Sequence, residues 1–182
     1  MTAPLAETIA LLERTPAVLQ ALLSGLPESW TSGPDVAGGW RPRDVVGHLI
    51  TGEQTNWMTR ARRILEAGTS RPFDSFERFA MLERDRGVPL DDLVERFAVL
   101  RRDNLATLRQ LVSDADLERR GLHPRLGEVT LGQLLSTWAV HDLDHTAQIY
   151  AGLAGTHDAD VGPWKGFIGI LLRREDPSAV AG

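Results

Sequence analysis

The chain contains no cysteine. That absence excludes disulfides, thiolate nucleophiles and cysteine-ligated zinc together. Any transition-metal site must therefore use histidine and carboxylates. Lysine is almost missing too: Lys165 is the only one, and every other basic side chain is arginine. The net charge of −5 removes the global basic field that would attract nucleic acid or an anionic membrane. The opening stretch MTAPLAETIALLERTP lacks a basic region and carries Glu7 and Glu13 inside its apolar pattern, so it reads neither as a signal peptide nor as a membrane span. A cytoplasmic protein with no membrane or nucleic-acid partner is expected. No GxSxG elbow orders a serine for acyl transfer, and no glycine-rich phosphate loop is present. There is no internal repeat and no second composition regime, so residues 1–182 are expected to form a single domain.

At 182 residues, 42% hydrophobic and 25% charged, such a domain can bury a substantial core. Leu5, Ile9, Leu12, Leu19, Leu22 and Leu23 recur at helical spacing, with Pro16 placed to kink or split the pattern. Residues 25–41 are rich in glycine and proline and read as a loop with Trp30 and Trp40 as aromatic plugs. A second helix is expected over Pro42–Ala67, with Pro42 in its first turn and Gly68 at its end. Its inward stripe is Val45, His48, Gly52, Thr55 and Thr59, small and polar after His48, where a core-filling helix would carry leucine.

Residues 69–89 are too long for a tight turn, and Ser75–Arg84 is a candidate short helix over one end of the molecule. A third helix is expected over Leu90–Val112, with the stripe Leu93, Phe97, Leu100, Asn104, Leu108 and Leu111. Asn104 is its polar interruption. Residues 113–129 read as an irregular connection, with turns at His123-Pro124 and Gly127. After the fourth helix, Trp164–Arg174 is a candidate short closing helix or strand, followed by a frayed tail, DPSAVAG. Four long amphipathic helices with long connections between helices two and three and between three and four predict an all-α four-helix bundle with a short C-terminal element.

The fourth helix is the most informative. Thr130 followed by Gln133 is a capping box, so a helix starts there and runs to about Leu153. Its inward stripe is Leu131, Leu134, Trp138, His141, His145, Gln148 and Gly152, apolar in the first half and polar in the second. His141 and His145 lie on one face, about 6 Å apart along the axis at ~1.5 Å per residue. Two buried, hydrogen-bonded core histidines are one reading; two ligands of one ion are the other. If helices two and four are neighbours, His48 joins them, and three imidazoles leave coordination positions open for water or substrate. Such an open set marks a catalytic or ligand-binding metal, since a structural zinc is closed by four ligands. Imidazole suits zinc, nickel, iron, cobalt or copper and disfavours magnesium and calcium. Zinc is the first choice on availability, with nickel, iron, manganese and cobalt left open.

Ligating histidines usually donate their other N–H to an acceptor, and Asp142 is the candidate for that position. Gln148 is placed to contact a water on the metal, and Glu53 is a weaker candidate for acid/base work. His123 and His157 are expected at the surface or in packing. The clusters Arg60, Arg62, Arg63 and Arg101, Arg102 are expected on solvated faces.

These residues carry a resemblance. Trp40 through His48-Leu49 resembles the second-helix signature of the DinB-like superfamily, which includes the YfiT-like metal-dependent hydrolases. The segment from His123-Pro124 into Trp138, His141-Asp142-Leu143-Asp144-His145 and Gln148-Ile149 resembles its fourth-helix signature. The resemblance spans nearly the whole chain and implies a four-helix bundle with a divalent metal on His48, His141 and His145. It also implies a small-molecule substrate, a homodimer, and in some relatives a low-molecular-weight thiol as cosubstrate. Arg41 departs from the pattern, standing where a Ser or Thr cap is expected. Three readings follow: a metal-dependent transferase or hydrolase, a non-enzymatic binder of metal or small molecule serving in a stress response, and a bundle with hydrogen-bonded core histidines and no ion.

Overall fold

Pro16 lacks the N–H that an inner helical turn requires, and the first rod of the fold breaks beside it. The computed structural model describes residues 3–173; the tail DPSAVAG lies outside the described residues. Helix α1 runs Leu5–Leu12 and α2 runs Thr15–Leu23, with Pro16 in the first turn of α2, where its missing donor costs nothing. A short helix, α3 (Glu28–Thr31), lies in the loop that follows and carries Trp30, which is 43% exposed and packs at a tilt against His157 rather than plugging the core.

The second rod is two helices, α4 (Pro42–Thr55) and α5 (Trp57–Ala67), where the sequence pattern predicts one. The break falls at Asn56, and a contact from the third rod explains it. Asn104 Nδ2 donates to the Glu53 carbonyl at 2.8 Å, the acceptor that Trp57 N–H would take in an unbroken α-helix. The break lets the Trp57 indole fold back on Gly52, where a Cβ would stand 2.8 Å from Nε1. Arg41 is no obstacle at the start of α4, because Asp44 Oδ2 accepts its backbone N–H at 3.0 Å while the guanidinium clasps the same carboxylate.

Residues 69–89 contain one short helix, α6 (Ala80–Arg84), whose Met81 packs on Gly47 of α4. Helix α7 (Leu90–Leu111) is the third rod and α8 (Leu131–Thr156) the fourth. The predicted capping box closes α8: Thr130 Oγ1 accepts from Gln133 N at 3.1 Å, and Gln133 Oε1 accepts from Thr130 N at 2.8 Å. The connection between α7 and α8, expected to be irregular, holds a hairpin of β1 (Arg120–His123) and β2 (Gly127–Thr130), antiparallel with Leu122 opposite Glu128. Gly127 at φ 77° turns the chain there. Phe73 N–H donates to the Leu122 carbonyl, which ties the hairpin to the loop after α5. Two further short helices, α9 (Asp158–Val161) and α10 (Gly169–Arg173), close the described chain, the latter being the expected C-terminal element.

The bundle core is divided. One apolar cluster includes Leu12, Trp57, Leu105 and Trp138; the other includes Leu19, Ile50, Phe97 and Ile149. Each rod crosses between them through a polar residue: Thr15 on α2, Glu53 on α4, Arg101 on α7 and Asp142 on α8, all buried. The α7 stripe therefore runs Leu93, Phe97, Arg101, Leu105, Leu108. Leu100 is only partly buried and Leu111 is exposed. Arg101 was expected on a solvated face beside Arg102. At 1% exposure it is one of the most deeply buried side chains described, because two carboxylates await it there.

Candidate metal centre

Helix α8 supplies His141 and His145 one turn apart, and α4, packed against it, supplies His48. His141 Nε2 lies 3.2 Å from His48 Nε2 and 3.1 Å from His145 Nε2. The three potential ligand atoms all fall within 4.8 Å of one another. Three nitrogens bound tetrahedrally at ~2.0–2.1 Å would stand roughly 3.3 Å apart, so the observed spacing is that of an ion-sized seat.

The partners of the opposite ring nitrogens decide where the protons are. His48 Nδ1 faces the Arg78 carbonyl at 3.2 Å, an acceptor only, so Nδ1 carries the hydrogen. His145 Nδ1 faces Gln148 Oε1 at 2.7 Å. The Gln148 amide cannot be reversed, because its Nε2 donates to Asp35 Oδ2 at 2.7 Å. Nδ1 of His145 therefore also donates. Both Nε2 atoms are left as lone pairs aimed at His141 Nε2. Neutral His141 has one N–H to offer, and its Nδ1 is buried with no hydrogen-bond partner among the described residues. A cation at the meeting point satisfies all three Nε2 lone pairs, with Nδ1 of His141 carrying the hydrogen. This donor chemistry fits a transition metal.

Titration points the same way. Burial pushes His48 down to about 4, helped by the charge of His145. Burial, with the neighbouring histidines and Arg101, pushes His141 down to about 2. Burial also lowers His145, against the pull of its Gln148 bond. All three are neutral at pH 7, the form that binds metal.

The rings are walled by aromatic side chains. Trp40 packs on His48 at 4.8 Å between centroids, Phe76 meets the same ring edge-on at 5.5 Å, and Trp57 meets His141 edge-on at 5.1 Å. Asp35 organises the Trp40 loop, accepting from Val36 N and Trp40 N through Oδ1 while Oδ2 holds Gln148.

Three residue roles expected from the sequence are corrected. Asp142 does not accept from a histidine: Oδ1 and Oδ2 take the Arg101 guanidinium, and Oδ2 also takes Thr15 Oγ1 at 2.7 Å. Glu53 is no free base, since Arg101, Trp138 Nε1 and Asn104 Nδ2 all donate to its carboxylate. Burial pushes that carboxyl up and the Arg101 charge pulls it down; with only N–H donors around it, the ionised form is the one this site solvates. Gln148, expected beside a metal-bound water, instead orients His145. Sequence reasoning missed Asp35, Arg78 and Arg101. The 3–4 spacing Leu93, Phe97, Arg101, Leu105, Leu108 was a usable signal for the last; the other two lie on irregular segments with no periodicity to reveal them. His123 and His157 stand apart from the cluster. His123 Nδ1 accepts from the backbone of Arg125 and Leu126 in the hairpin turn, and His157 bonds Asp160.

The DinB superfamily profile matches residues 11–149, which include all three histidines. The chain belongs to the DinB superfamily. A protein of Bacillus mycoides named "putative metal-dependent hydrolase" is 28% identical over 139 residues, covering 76% of this chain and 79% of its own. A Bacillus cereus protein of the same name is 27% identical over the same share of each. Among solved structures, YfiT from Bacillus subtilis, described as a probable metal-dependent hydrolase with an unusual four-helix bundle topology, superposes with a TM-score of 0.71 at 25% identity. The match covers 82% of this chain and 85% of that one. The four-helix bundle expected from the sequence is the fold observed. No helix among the described residues is long and apolar enough to cross a membrane.

Proposed function

We propose that His48, His141 and His145 hold one divalent metal ion and that the protein is a metal-dependent hydrolase acting on a small molecule. The observation that carries this reading is the pair of imidazole lone pairs, on His48 and His145, aimed at His141 Nε2 by partners that fix their tautomers. The names carried by relatives support the same class of chemistry. A bound ion would supply Lewis acidity at an open coordination position. The chain supplies the rest. Arg78 O and Gln148 Oε1 keep two rings in the ligating tautomer, and the Trp40, Phe76 and Trp57 rings pack against His48 and His141. Zinc is the first candidate for the ion; nickel, iron and cobalt share its preference for imidazole, and manganese, which favours oxygen ligands, is the weakest of those considered.

Elemental analysis of natively purified protein tests the site. About one equivalent of a transition metal is expected per chain, with loss in His48→Ala and His141→Ala. Metal content unchanged in both variants overturns it. Turnover of ester and amide panels then tests the reaction. Turnover that requires an added low-molecular-weight thiol would move the protein to thiol transfer, and metal binding without turnover would leave a binder.

A further inference from the structure

Resting on that metal reading, we propose that Arg78 is an anion-recognition residue beside the three-histidine site, and that the ligand is a small carboxylate with an apolar body. The Arg78 backbone is locked to the site, because its carbonyl accepts from His48 Nδ1. Its side chain reaches back along the same wall. The guanidinium lies 5.5 Å over the Trp40 ring and 5.3 Å over the Phe79 ring, and Trp40 itself packs on His48. Two aromatic faces hold the cation in place.

No carboxylate pairs with this guanidinium among the described residues, although the chain is acidic overall and nearby arginines do find partners, Arg63 with Asp74 and Arg84 with Asp85. The residue is exposed to solvent. The Trp40 ring that carries the guanidinium lies 4.8 Å from the His48 ring and 6.2 Å from the His145 ring, centroid to centroid, which places Arg78 beside the ring cluster. A divalent ion among the histidines would set a second positive centre near this guanidinium, with which no carboxylate of the described residues pairs. An anion contacting both relieves that repulsion, and a carboxylate matches the planar donor fork of arginine. Phe76 beside His48 and Phe79, 58% exposed, give the rest of such a ligand an apolar surface.

The test uses the full chain loaded with cobalt(II), whose visible absorption reports on its coordination. Benzoate is titrated into wild type, Arg78→Gln and Arg78→Lys, with benzamide as the neutral control. Benzoate is expected to perturb the wild-type spectrum and to bind roughly 10-fold or more weakly to Arg78→Gln, with Arg78→Lys between them and benzamide indifferent to the substitution. Cobalt affinity should be equal or higher in Arg78→Gln, since a positive neighbour is removed while the backbone carbonyl stays. Equal benzoate affinity in wild type and Arg78→Gln overturns the proposal and leaves the metal site standing. Failure of wild type to bind cobalt overturns both. Loss of cobalt binding in Arg78→Gln alone also counts against the proposal, because the residue would then be supporting the site itself.

Discussion

Arg101 illustrates how a single side chain can organise a bundle. Its guanidinium lies between Glu53 and Asp142, 2.8 and 2.9 Å from their oxygens, and also donates to the Leu12 carbonyl at 2.9 Å. The two carboxylates flank the histidines in sequence: Glu53 follows His48 on α4, and Asp142 follows His141 on α8. The ion cluster therefore links the two helices that carry the site. A buried ion pair adds little over a well-packed apolar replacement, but removing one member strands the others. Arg101→Met should leave two carboxylates facing each other and cost about 3–5 kcal/mol, read as a lower denaturant midpoint. A loss below ~1 kcal/mol would show that the cluster relaxes into water and does not hold the helices in place.

At the scale of elements, α8 is the longest helix among the described residues and begins with a reciprocal side-chain capping box. Thr130→Ala removes the acceptor for Gln133 N and should cost about 1 kcal/mol in thermal or urea unfolding. Because His141 lies three turns in, cobalt or zinc binding should be unaffected, and a variant that loses metal affinity would show that the helix start is coupled to the site. The second rod teaches the opposite lesson. Its apolar pattern carries through Asn56 without a stop signal, yet the helix breaks there because a side chain from α7 occupies a backbone acceptor. The break gives Trp57 its place against His141.

Across the whole molecule, the buried histidine cluster makes stability depend on pH. His48 takes a proton at about 6.5 when unfolded but only at about 4 when folded. Between those values the unfolded chain binds more protons, so the stability of metal-free protein is expected to fall as pH drops from 6.5 toward 4 and to be flat in this respect above 6.5. His141, lowered further, acts in the same direction. Urea unfolding of metal-free protein at several pH values checks this, and the slope should be shallower in His48→Gln. An equal slope in the two proteins would mean that His48 is protonated freely in the folded state.

The sequence by itself determined the helical periods, the capping box at Thr130, an interruption of the first rod near Pro16 and the inward facing of His48, His141 and His145. Those features are local: they follow from spacing along one helix and from the backbone limits of proline. What only the tertiary structure decided is which polar groups meet. Asp142 looked available to a histidine and Glu53 to acid/base work until Arg101, arriving from a third helix, took both. Gln148 and the Arg78 carbonyl took the histidine N–H groups instead. A buried charge is stable only with its partner, and that partner lies 41 or 48 residues away in the chain. Helical periodicity carries the direction of a side chain but not the identity of what it will face, so the convergence of the three histidines was legible and their supporting bonds were not.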